Sequence, residues 1–305
     1  MSTSPEHARL LRLATRASLA VASILIVAKA VAWWLSGSVS LLAGLTDSLL
    51  DGAASFLNLL AVHYALRPAD DDHRYGHGKA EALSGMAQAL FIAVSAFLIG
   101  FQAIDRIQHP HPLGDPGLGL LVMVLSIGLT VALLMLQHRV VKATGSAAIR
   151  ADSLHYRSDM LLNFSIMLAL GLAYYGYSQL DAYFGLAIAF YILWSAISIA
   201  RETVSVLMDA ELPVDVSAKM LELAEGVPGV LGAHDLRTRI SGNHWFVQLH
   251  LELPGTLTLS VAHDLCERVE TAIQEAFPKA EVLVHADPQE VVNRDGAHQG
   301  GPILS

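Results

Sequence analysis

Six long, mostly apolar segments constrain this chain more than any other feature of its sequence. They cover approximately residues 16–36, 41–66, 80–106, 117–137, 150–177 and 182–207. A helix needs about 20 residues to cross a bilayer, so each segment is long enough to span one. Of the 305 residues, 53% are hydrophobic and 15% are charged. A typical soluble domain carries about 25% charged residues. The sequence therefore predicts an α-helical membrane protein with six transmembrane helices, embedded in a lipid bilayer.

The distribution of basic residues predicts how the helices are oriented. One set of helix ends carries nearly all the basic residues found near the spans, namely Arg9, Arg12, Arg16, Arg67, Arg74, Lys79, Arg139, Lys142, Arg150 and Arg201. The opposite connections carry only Arg106. Because cytoplasmic loops carry the excess of Lys and Arg, both termini are expected in the cytoplasm.

A change of character after Asp209 predicts a second domain. Helical spacing with a proline near its start and a glycine near its end runs from about residue 211 to 230. Two strands follow around a Ser-Gly-Asn turn, then an amphipathic helix and a last strand. The order αββαβ predicts a small α+β domain with its helices on one face of the sheet. The predicted domains are 1–209, 210–290 and a disordered tail, 291–305.

Two helices carry paired ligand-type residues inside the apolar segments. Asp47 and Asp51 are four residues apart on the second span, and His155 and Asp159 are four apart on the fifth. Side chains with this spacing share one helix face. A charge at the centre of a bilayer costs roughly 2.5–3.5 kcal/mol, so such acids need a partner. Three carboxylates and one imidazole suit a tetrahedral divalent ion such as Zn²⁺.

Two further groups of ligand-type residues lie outside the spans. The connection after the second span offers five of them, Asp70, Asp71, Asp72, His73 and His77, although a solvated polar loop is the alternative there. The second domain offers His234, His244, His250, His263, His285 and Asp287. Strand alternation places His285 and Asp287 on one side of the sheet, whereas His244 is interpreted as a surface residue. The single cysteine, Cys266, excludes a metal cluster of cysteines.

These motifs together resemble the cation diffusion facilitator family, most closely its bacterial zinc and ferrous-iron efflux branch. The resemblance rests on "LTDSLLD", "DDDHRYGHGKAE", "ADSLHYRSD" and "HDLRTR", in this order, and it extends from about Ala14 to Asp287. It implies a proton-coupled antiporter, not an enzyme, that exports divalent transition metals from the cytoplasm by alternating access. It also implies a homodimer in the bacterial inner membrane, with no nucleic acid as a partner.

The resemblance further implies which residues bind metal. The implied transport site is Asp47, Asp51, His155 and Asp159, and the implied loop site is Asp70, His73 and His77. A metallochaperone-like cytoplasmic domain would bind metal near the dimer interface, and so stabilise the dimer, through His234, His250, His263, His285 and Asp287. Zn²⁺ is the expected ion, with Fe²⁺ and Cd²⁺ also open, and the His155 nitrogen favours Zn²⁺ over Mn²⁺.

Other interpretations of the same residues were weighed. The intramembrane acids could pair with Arg157 or Lys29, which would explain neither the repeated spacing nor the histidine. A membrane metalloenzyme would need an open metal position and a general base, and no H-E-x-x-H motif occurs. A membrane metal sensor without transport would leave the intramembrane ligands unexplained. A metal channel would differ from an antiporter because metal would flow through it without exchange for protons.

Overall fold

Two compact units make up the chain, Met1–Val204 and Ser205–Ser305. The structure is a computed structural model that describes residues 5–36, 39–108, 117–174 and 180–295. Its first unit is helical, and its second unit combines helices with a three-stranded sheet. This is the fold class that the sequence predicted.

Six long helices form the first unit and reach into the start of the second. They are α1 (Pro5–Ser36), α2 (Val39–Ala65), α3 (Ala80–Gln108), α4 (Gly117–Thr144), α5 (Ala147–Tyr174) and α6 (Leu180–Leu207). Two of them extend well beyond the predicted apolar segments, because α1 begins at Pro5 and α4 continues to Thr144. The added turns are rich in Leu, Ala, Arg and Lys, which are good helix formers whether or not lipid surrounds them.

Within the described residues, five helices, α1 to α4 and α6, are long and apolar enough to cross a membrane. Helix α5 has the length, at 28 residues, but its first half carries Arg150, Asp152, Arg157 and Asp159. Large apolar side chains point outward from the bundle, including Trp34, Phe101 and Phe190 at 82%, 72% and 75% exposure. Such surfaces suit lipid, because a soluble protein seldom exposes large apolar patches.

Helix α5 has neighbours on several sides of the bundle, which accounts for its polar sequence. It packs against α1, α2, α3 and α4. Through Ala151 it also joins a buried cluster of α3 and α6 residues, which contains Ala89, Ile92, Ala96, Ile192, Ala196 and Ile199. The buried polar side chains of α5, Asp152 and His155 among them, therefore face other helices, where hydrogen-bond partners are available, rather than lipid.

The second unit has the predicted element order, αββαβ, followed by one further short helix. It contains α7 (Val214–Glu225), β1 (Gly232–Ser241), β2 (His244–Leu253), α8 (Leu259–Ala276), β3 (Ala280–Pro288) and α9 (Gln289–Asp295). The strand order is β1-β2-β3, with β1 and β2 antiparallel and β2 and β3 parallel. Gly242 begins the two-residue turn of the β1–β2 hairpin with a φ of 59°, a conformation that glycine adopts without strain.

The sheet of the second unit buries one face and leaves the other more open. Val247, Leu249 and Leu251 of β2 are buried in a core with residues of α7 and α8. Side chains alternate along a strand, so Gln248 and His250 lie on the opposite face. The helices thus cover one face of the sheet, and the histidine ligands predicted on its strands, His234, His250 and His285, lie on the other.

The prediction of a disordered tail over residues 291–305 is wrong for the first of these residues. Residues 291–295 form the end of helix α9, which packs against β2 and β3. An acidic residue in its first turn, Glu290, favours this helix through the helix dipole. Residues 296–305 lie outside the described residues.

Candidate metal centres

Helices α2 and α5 bring three of the four predicted intramembrane ligands together. His155 Nε2 lies 2.9 Å from Asp51 Oδ1 and 3.7 Å from Asp159 Oδ2. One ligand atom from each of the three residues falls within 4.8 Å of the others. We call Asp51, His155 and Asp159 the intramembrane centre. Its histidine is buried, and the side chains of Asp51 and Asp159 are 13% and 26% exposed.

Asp47 lies outside this group of three, one helical turn before Asp51 on α2. It still lies close enough to interact electrostatically with Asp51, Lys29 and His155. The Lys29 ammonium donates hydrogen bonds to Ser48 Oγ at 2.6 Å and to the Gly44 carbonyl at 3.0 Å. It is therefore a positive charge beside the centre whose hydrogen bonds go to neutral groups.

The alternative pairing of these acids with basic residues has little support in the structure. Arg157 is exposed and, within the described ranges, forms no ion pair with the intramembrane acids. Asp159 Oδ2 is buried and accepts no hydrogen bond from the described residues. A buried carboxylate oxygen without a hydrogen bond is costly, and a bound cation or proton would remove that cost.

The loop between α2 and α3 brings Asp70, His73 and His77 together, and we call these three residues the loop centre. His77 Nε2 lies 3.3 Å from Asp70 Oδ2, and His73 Nδ1 lies 3.2 Å from Asp70 Oδ1. The backbone N–H of His73 donates to Asp70 Oδ1 at 2.7 Å and lowers the pKa of that carboxyl group. Gly76 allows the tight turn with a φ of 75°.

Burial separates the three residues of the loop centre. The His77 side chain is 2% exposed and meets the Tyr64 ring edge-on at 4.6 Å, whereas Asp70 and His73 are about half exposed. His77 Nδ1 is buried without a hydrogen-bond partner among the described residues. The nearby cation Arg74 turns away, because it pairs with Asp71 at 3.0 Å on the exposed side of the loop. The burial of His77 is not expected of a solvated polar loop.

Strand register lines up three histidines across the sheet of the second unit. His234 of β1 pairs with His250 of β2, which in turn pairs with His285 of β3. Asp287 lies two residues after His285 and contacts all three. We call His234, His250, His285 and Asp287 the sheet centre.

Asp287 is the common neighbour within the sheet centre. Its Oδ2 accepts a hydrogen bond from His250 Nδ1 at 2.7 Å and lies 3.5 Å from His234 Nε2. Its Oδ1 lies 3.1 Å from His285 Nε2. The atoms of His234, His250 and Asp287 are close enough together to hold one ion. His285 approaches the other carboxylate oxygen and lies outside this group of three.

His263, which was predicted as a ligand of the same site, is not brought to the sheet centre within one chain. It lies in the first turns of α8, is 67% exposed and pairs with Glu267 at 3.4 Å. Helix α8 covers the sheet face opposite to the histidines, which explains the separation. His244 is half-buried, and burial lowers its pKa; it joins none of the three groups of possible ligands.

Two acids beside the sheet centre were not predicted from the sequence. Glu252 Oε1 lies 3.3 Å from His234 Nδ1, and Asp235 Oδ2 lies 3.8 Å from His250 Nε2. Asp235 has a φ of 47° and sits where the β1–β2 register shifts, which turns its side chain toward the histidines. Arg237 hydrogen-bonds to Asp235 and lowers its pKa. Asp235 adjoins a predicted ligand in sequence, but nothing in the sequence shows the register shift.

Comparisons with known proteins agree with this architecture. The transmembrane domain of cation efflux proteins matches residues 15–208, and their cytoplasmic domain matches residues 212–289. The cation-efflux pump FieF of Yersinia enterocolitica is 48% identical over 95% of this chain and 97% of that protein. FieF of Serratia proteamaculans is 50% identical over 94% of this chain and 96% of that protein.

A solved structure, MamM-CTD 215-293, is 31% identical over 24% of this chain and 95% of that chain, with a TM-score of 0.24. The two domain matches and the full-length relatives confirm the family resemblance seen in the motifs, and with it a membrane transporter rather than an enzyme. This chain belongs to the cation efflux family, the cation diffusion facilitators.

Proposed function

We propose that this transporter exports Zn²⁺, with Fe²⁺ and Cd²⁺ as further substrates, from the bacterial cytoplasm in exchange for protons. The observation that carries the proposal is the intramembrane centre, where Asp51 of α2 meets His155 and Asp159 of α5. Three ligand-type side chains with a buried, unbonded carboxylate oxygen would be unfavourable inside a membrane unless a cation occupies them for part of the cycle.

The ligand types favour a borderline transition metal. One imidazole with carboxylates suits Zn²⁺, and the nitrogen makes Mg²⁺ or Ca²⁺ a poor match. Zn²⁺ in proteins usually takes four ligands in a tetrahedron. Asp47 is one turn away on α2 and is the candidate for the fourth position, because it already lies in electrostatic range of Asp51 and His155.

Proton exchange follows from the requirements of metal binding. Zn²⁺ binds ionised carboxylates and neutral imidazole, so binding displaces protons and protonation releases the metal. We assign the proton-carrying role to His155 with one of the two acids it contacts. Imidazole suits this role because the same ring nitrogen can bind either a proton or a metal ion. When the centre faces the more acidic side, protons replace the metal, and the proton gradient drives export.

The charge balance of the centre fits one divalent ion. Asp47, Asp51 and Asp159 bring three negative charges when ionised, and the Lys29 ammonium offsets one of them. One Zn²⁺ would then neutralise the remaining charge, and so would two protons. An arrangement that is neutral with either cargo can change conformation within the membrane at a low electrostatic cost.

The sheet centre is proposed to sense cytoplasmic metal in a homodimer. Metal bound between His234, His250 and Asp287 would offset the negative charge of the second unit, and two such units could then approach each other. The metal-binding role of His263, implied by the family resemblance, requires the second chain because His263 is remote from the sheet centre of its own. Metal then shifts the population toward one state only if that state binds it more tightly.

The loop centre is proposed to hold a further metal ion at the membrane surface. His77 is buried against Tyr64, its Nε2 lies 3.3 Å from Asp70 Oδ2, and together with Asp70 and His73 it forms a three-ligand group. The positive-inside rule places this loop in the cytoplasm of the bacterial inner membrane, together with both termini. A metal here would hold the ends of α2 and α3 in a fixed arrangement.

The decisive experiment follows metal and protons together in vesicles that contain the purified full-length protein. Zn²⁺ uptake and pH change are recorded with two fluorescent indicators at two opposite pH gradients. We expect Zn²⁺ movement to be matched by opposite proton movement. Asp51→Asn and Asp159→Asn should abolish both, whereas the exposed loop acid variant Asp72→Asn should not.

Each alternative gives a different result in the same vesicles. A sensor without transport would bind Zn²⁺ but move neither ion. A channel would conduct Zn²⁺ down its gradient with no change in pH. Coupled transport that survives in Asp51→Asn or Asp159→Asn would overturn the assignment of the intramembrane centre.

A further inference from the structure

The bundle buries another carboxyl group, that of Asp152, which none of the three centres uses. Asp152 lies on α5 three residues before His155, and its side chain is fully buried. Ser18 Oγ of α1 donates to Asp152 Oδ2 at 2.6 Å, and Gln137 Nε2 of α4 donates to the same oxygen at 2.7 Å. Gln88 Nε2 of α3 donates to Oδ1 at 3.4 Å. Three other helices thus hydrogen-bond to one residue of α5.

The neighbours of Asp152 are also buried and interconnected. Gln137 Nε2 donates to Ser18 Oγ at 3.0 Å. Tyr156, one turn after Asp152 on α5, donates to the Ser18 carbonyl at 3.1 Å. Asn58 of α2, which is also buried and interacts with Asp152, completes the set. We call this group the Asp152 cluster: Ser18, Asn58, Gln88, Gln137, Asp152 and Tyr156.

The Asp152 cluster separates the intramembrane centre from the end of the bundle that carries the loop 66–79. Along α5, His155 comes after Asp152, and the N-terminus of α5 lies on the other side of it. Between Asp152 and that end is an apolar layer whose members are almost fully buried, namely Leu11, Ala14, Val62, Val140, Ala148 and Ile149. The six members of the cluster are at most 2% exposed, in contrast to Asp51 and Asp159. The route from the centre to this end is therefore closed in this structure.

A polar closure of this kind can open reversibly. Hydrogen bonds to a buried carboxyl group hold the helices together, and water can replace them when the helices separate. Buried Gln88 Oε1, Gln137 Oε1 and Asn58 Nδ2 have no hydrogen-bond partner among the described residues. Unsatisfied polar atoms destabilise the closed arrangement and would gain partners on hydration. The closed and the hydrated states are thus closer in free energy than an apolar closure alone would allow.

We propose that the Asp152 cluster is a polar gate, which closes the route between the intramembrane centre and the 66–79 end of the bundle and breaks when the centre opens to that end. The gate rests on the proposed transport cycle, in which the centre must face both sides in turn. Asp152 is then a positioning residue rather than a metal ligand. It sets which side His155 can reach.

Transport kinetics distinguish a gate from a merely structural cluster. Vesicles that expose the 66–79 loop are assayed for Zn²⁺ uptake with Asp152→Asn and with the milder Ser18→Ala. Weakening the gate favours the state open to this side, so we expect KM to fall about tenfold for Asp152→Asn and turnover to fall with it. Ser23→Ala is the matched control, because Ser23 is an exposed serine of α1 whose hydroxyl, among the described residues, donates to Leu19 of its own helix. A structural role would lower the turnover and leave KM unchanged.

A labelling experiment tests the gate without relying on transport. In a Cys266→Ala background, Ala148→Cys places a small reporter thiol in the buried apolar layer, where a water-soluble maleimide should react slowly. Asp152→Asn and Ser18→Ala should speed the reaction about tenfold, and Ser23→Ala should not change it. Unchanged labelling and unchanged KM in both gate variants would overturn the proposal. If the parent itself moves no Zn²⁺ but the gate variants are labelled faster, the result supports the gate and rejects the transport function instead.

Discussion

His155 Nε2 of α5 lies 2.9 Å from Asp51 Oδ1 of α2, so the two helices share one candidate metal site. Asp47, on the same face of α2, is outside the group of ligand atoms. We expect Asp51→Asn to abolish Zn²⁺ transport, because it removes a ligand in contact with the imidazole. Asp47→Asn should instead raise KM about tenfold and keep measurable turnover, as expected for a weaker ligand position.

Initial rates of Zn²⁺ uptake over a range of concentrations check this difference. Equal and complete loss in the two variants, with both proteins folded, would mean that Asp47 is a ligand of the same rank as Asp51. Retained activity in Asp51→Asn would mean that Asp51 is not an essential ligand of the site.

The fold was predictable from the sequence because membrane spans and small sheets have strong local signals. Apolar segments of about 20 residues need no knowledge of their neighbours to be recognised as spans. The αββαβ order followed from turn residues such as Gly242, whose positive φ the hairpin requires. Helix ends were less predictable, since α1 and α9 extend through polar residues that could equally form loops.

The members of the centres were predictable in part. The spacing of four residues on α2 and α5 pointed to facing ligand pairs, and Asp51, His155 and Asp159 do meet. The sequence could not show that Asp47 stays one turn away or that α8 carries His263 away from the sheet centre, because both depend on packing between elements. Asp152 stood within the motif "ADSLHYRSD" and was given no role, since its partners on α1, α3 and α4 are remote in sequence.

Lys29 should control how tightly the intramembrane centre holds its metal. Its ammonium lies in electrostatic range of Asp47 and Asp159, so it repels a bound cation and assists release. In Lys29→Met we expect KM for Zn²⁺ to fall about tenfold and turnover to fall as release slows. Lys29→Arg keeps the charge and is the control. If Lys29→Met raises KM instead, the ammonium has a different role, such as holding α2 through Ser48.

Burial predicts unequal effects of the two histidines in the loop centre. His77 is packed against Tyr64, whereas His73 is half exposed. Without metal, His77→Ala should lower the thermal unfolding temperature by about 3 °C, and His73→Ala should leave it nearly unchanged. With Zn²⁺ present, both should lose the stabilisation that metal gives the parent. A metal-induced stabilisation that persists in both variants would exclude the loop centre as a metal site.

Protonation of Asp70 in the ordinary carboxyl range should not cause loss of metal from the loop centre. The His73 backbone N–H keeps the pKa of Asp70 below its ordinary value, so this carboxylate stays ionised as pH falls through the ordinary carboxyl range. The contribution of the Asp70 carboxylate to stability is present above the unfolded pKa of this group. It is lost only as the pH falls through the lower pKa of the folded state. Zn²⁺ affinity, measured with Asp51→Asn and Asp287→Asn in place, should therefore show no step of loss in the ordinary carboxyl range, near about pH 4. A step of loss in that range would show that Asp70 is protonated there and would contradict the prediction.

Asp287 should be the residue whose loss most affects the sheet centre, because its two oxygens approach three histidines. Zn²⁺ should slow backbone hydrogen exchange in β2 and β3 of the full-length parent, and Asp287→Asn should abolish this protection. The exposed α8 acid Asp264 provides the control variant Asp264→Asn. His263→Ala separates two arrangements of the metal. If Zn²⁺ still protects β2 and β3 in His263→Ala, all ligands lie within one chain. If His263→Ala abolishes the protection as Asp287→Asn does, His263 of a second chain is required.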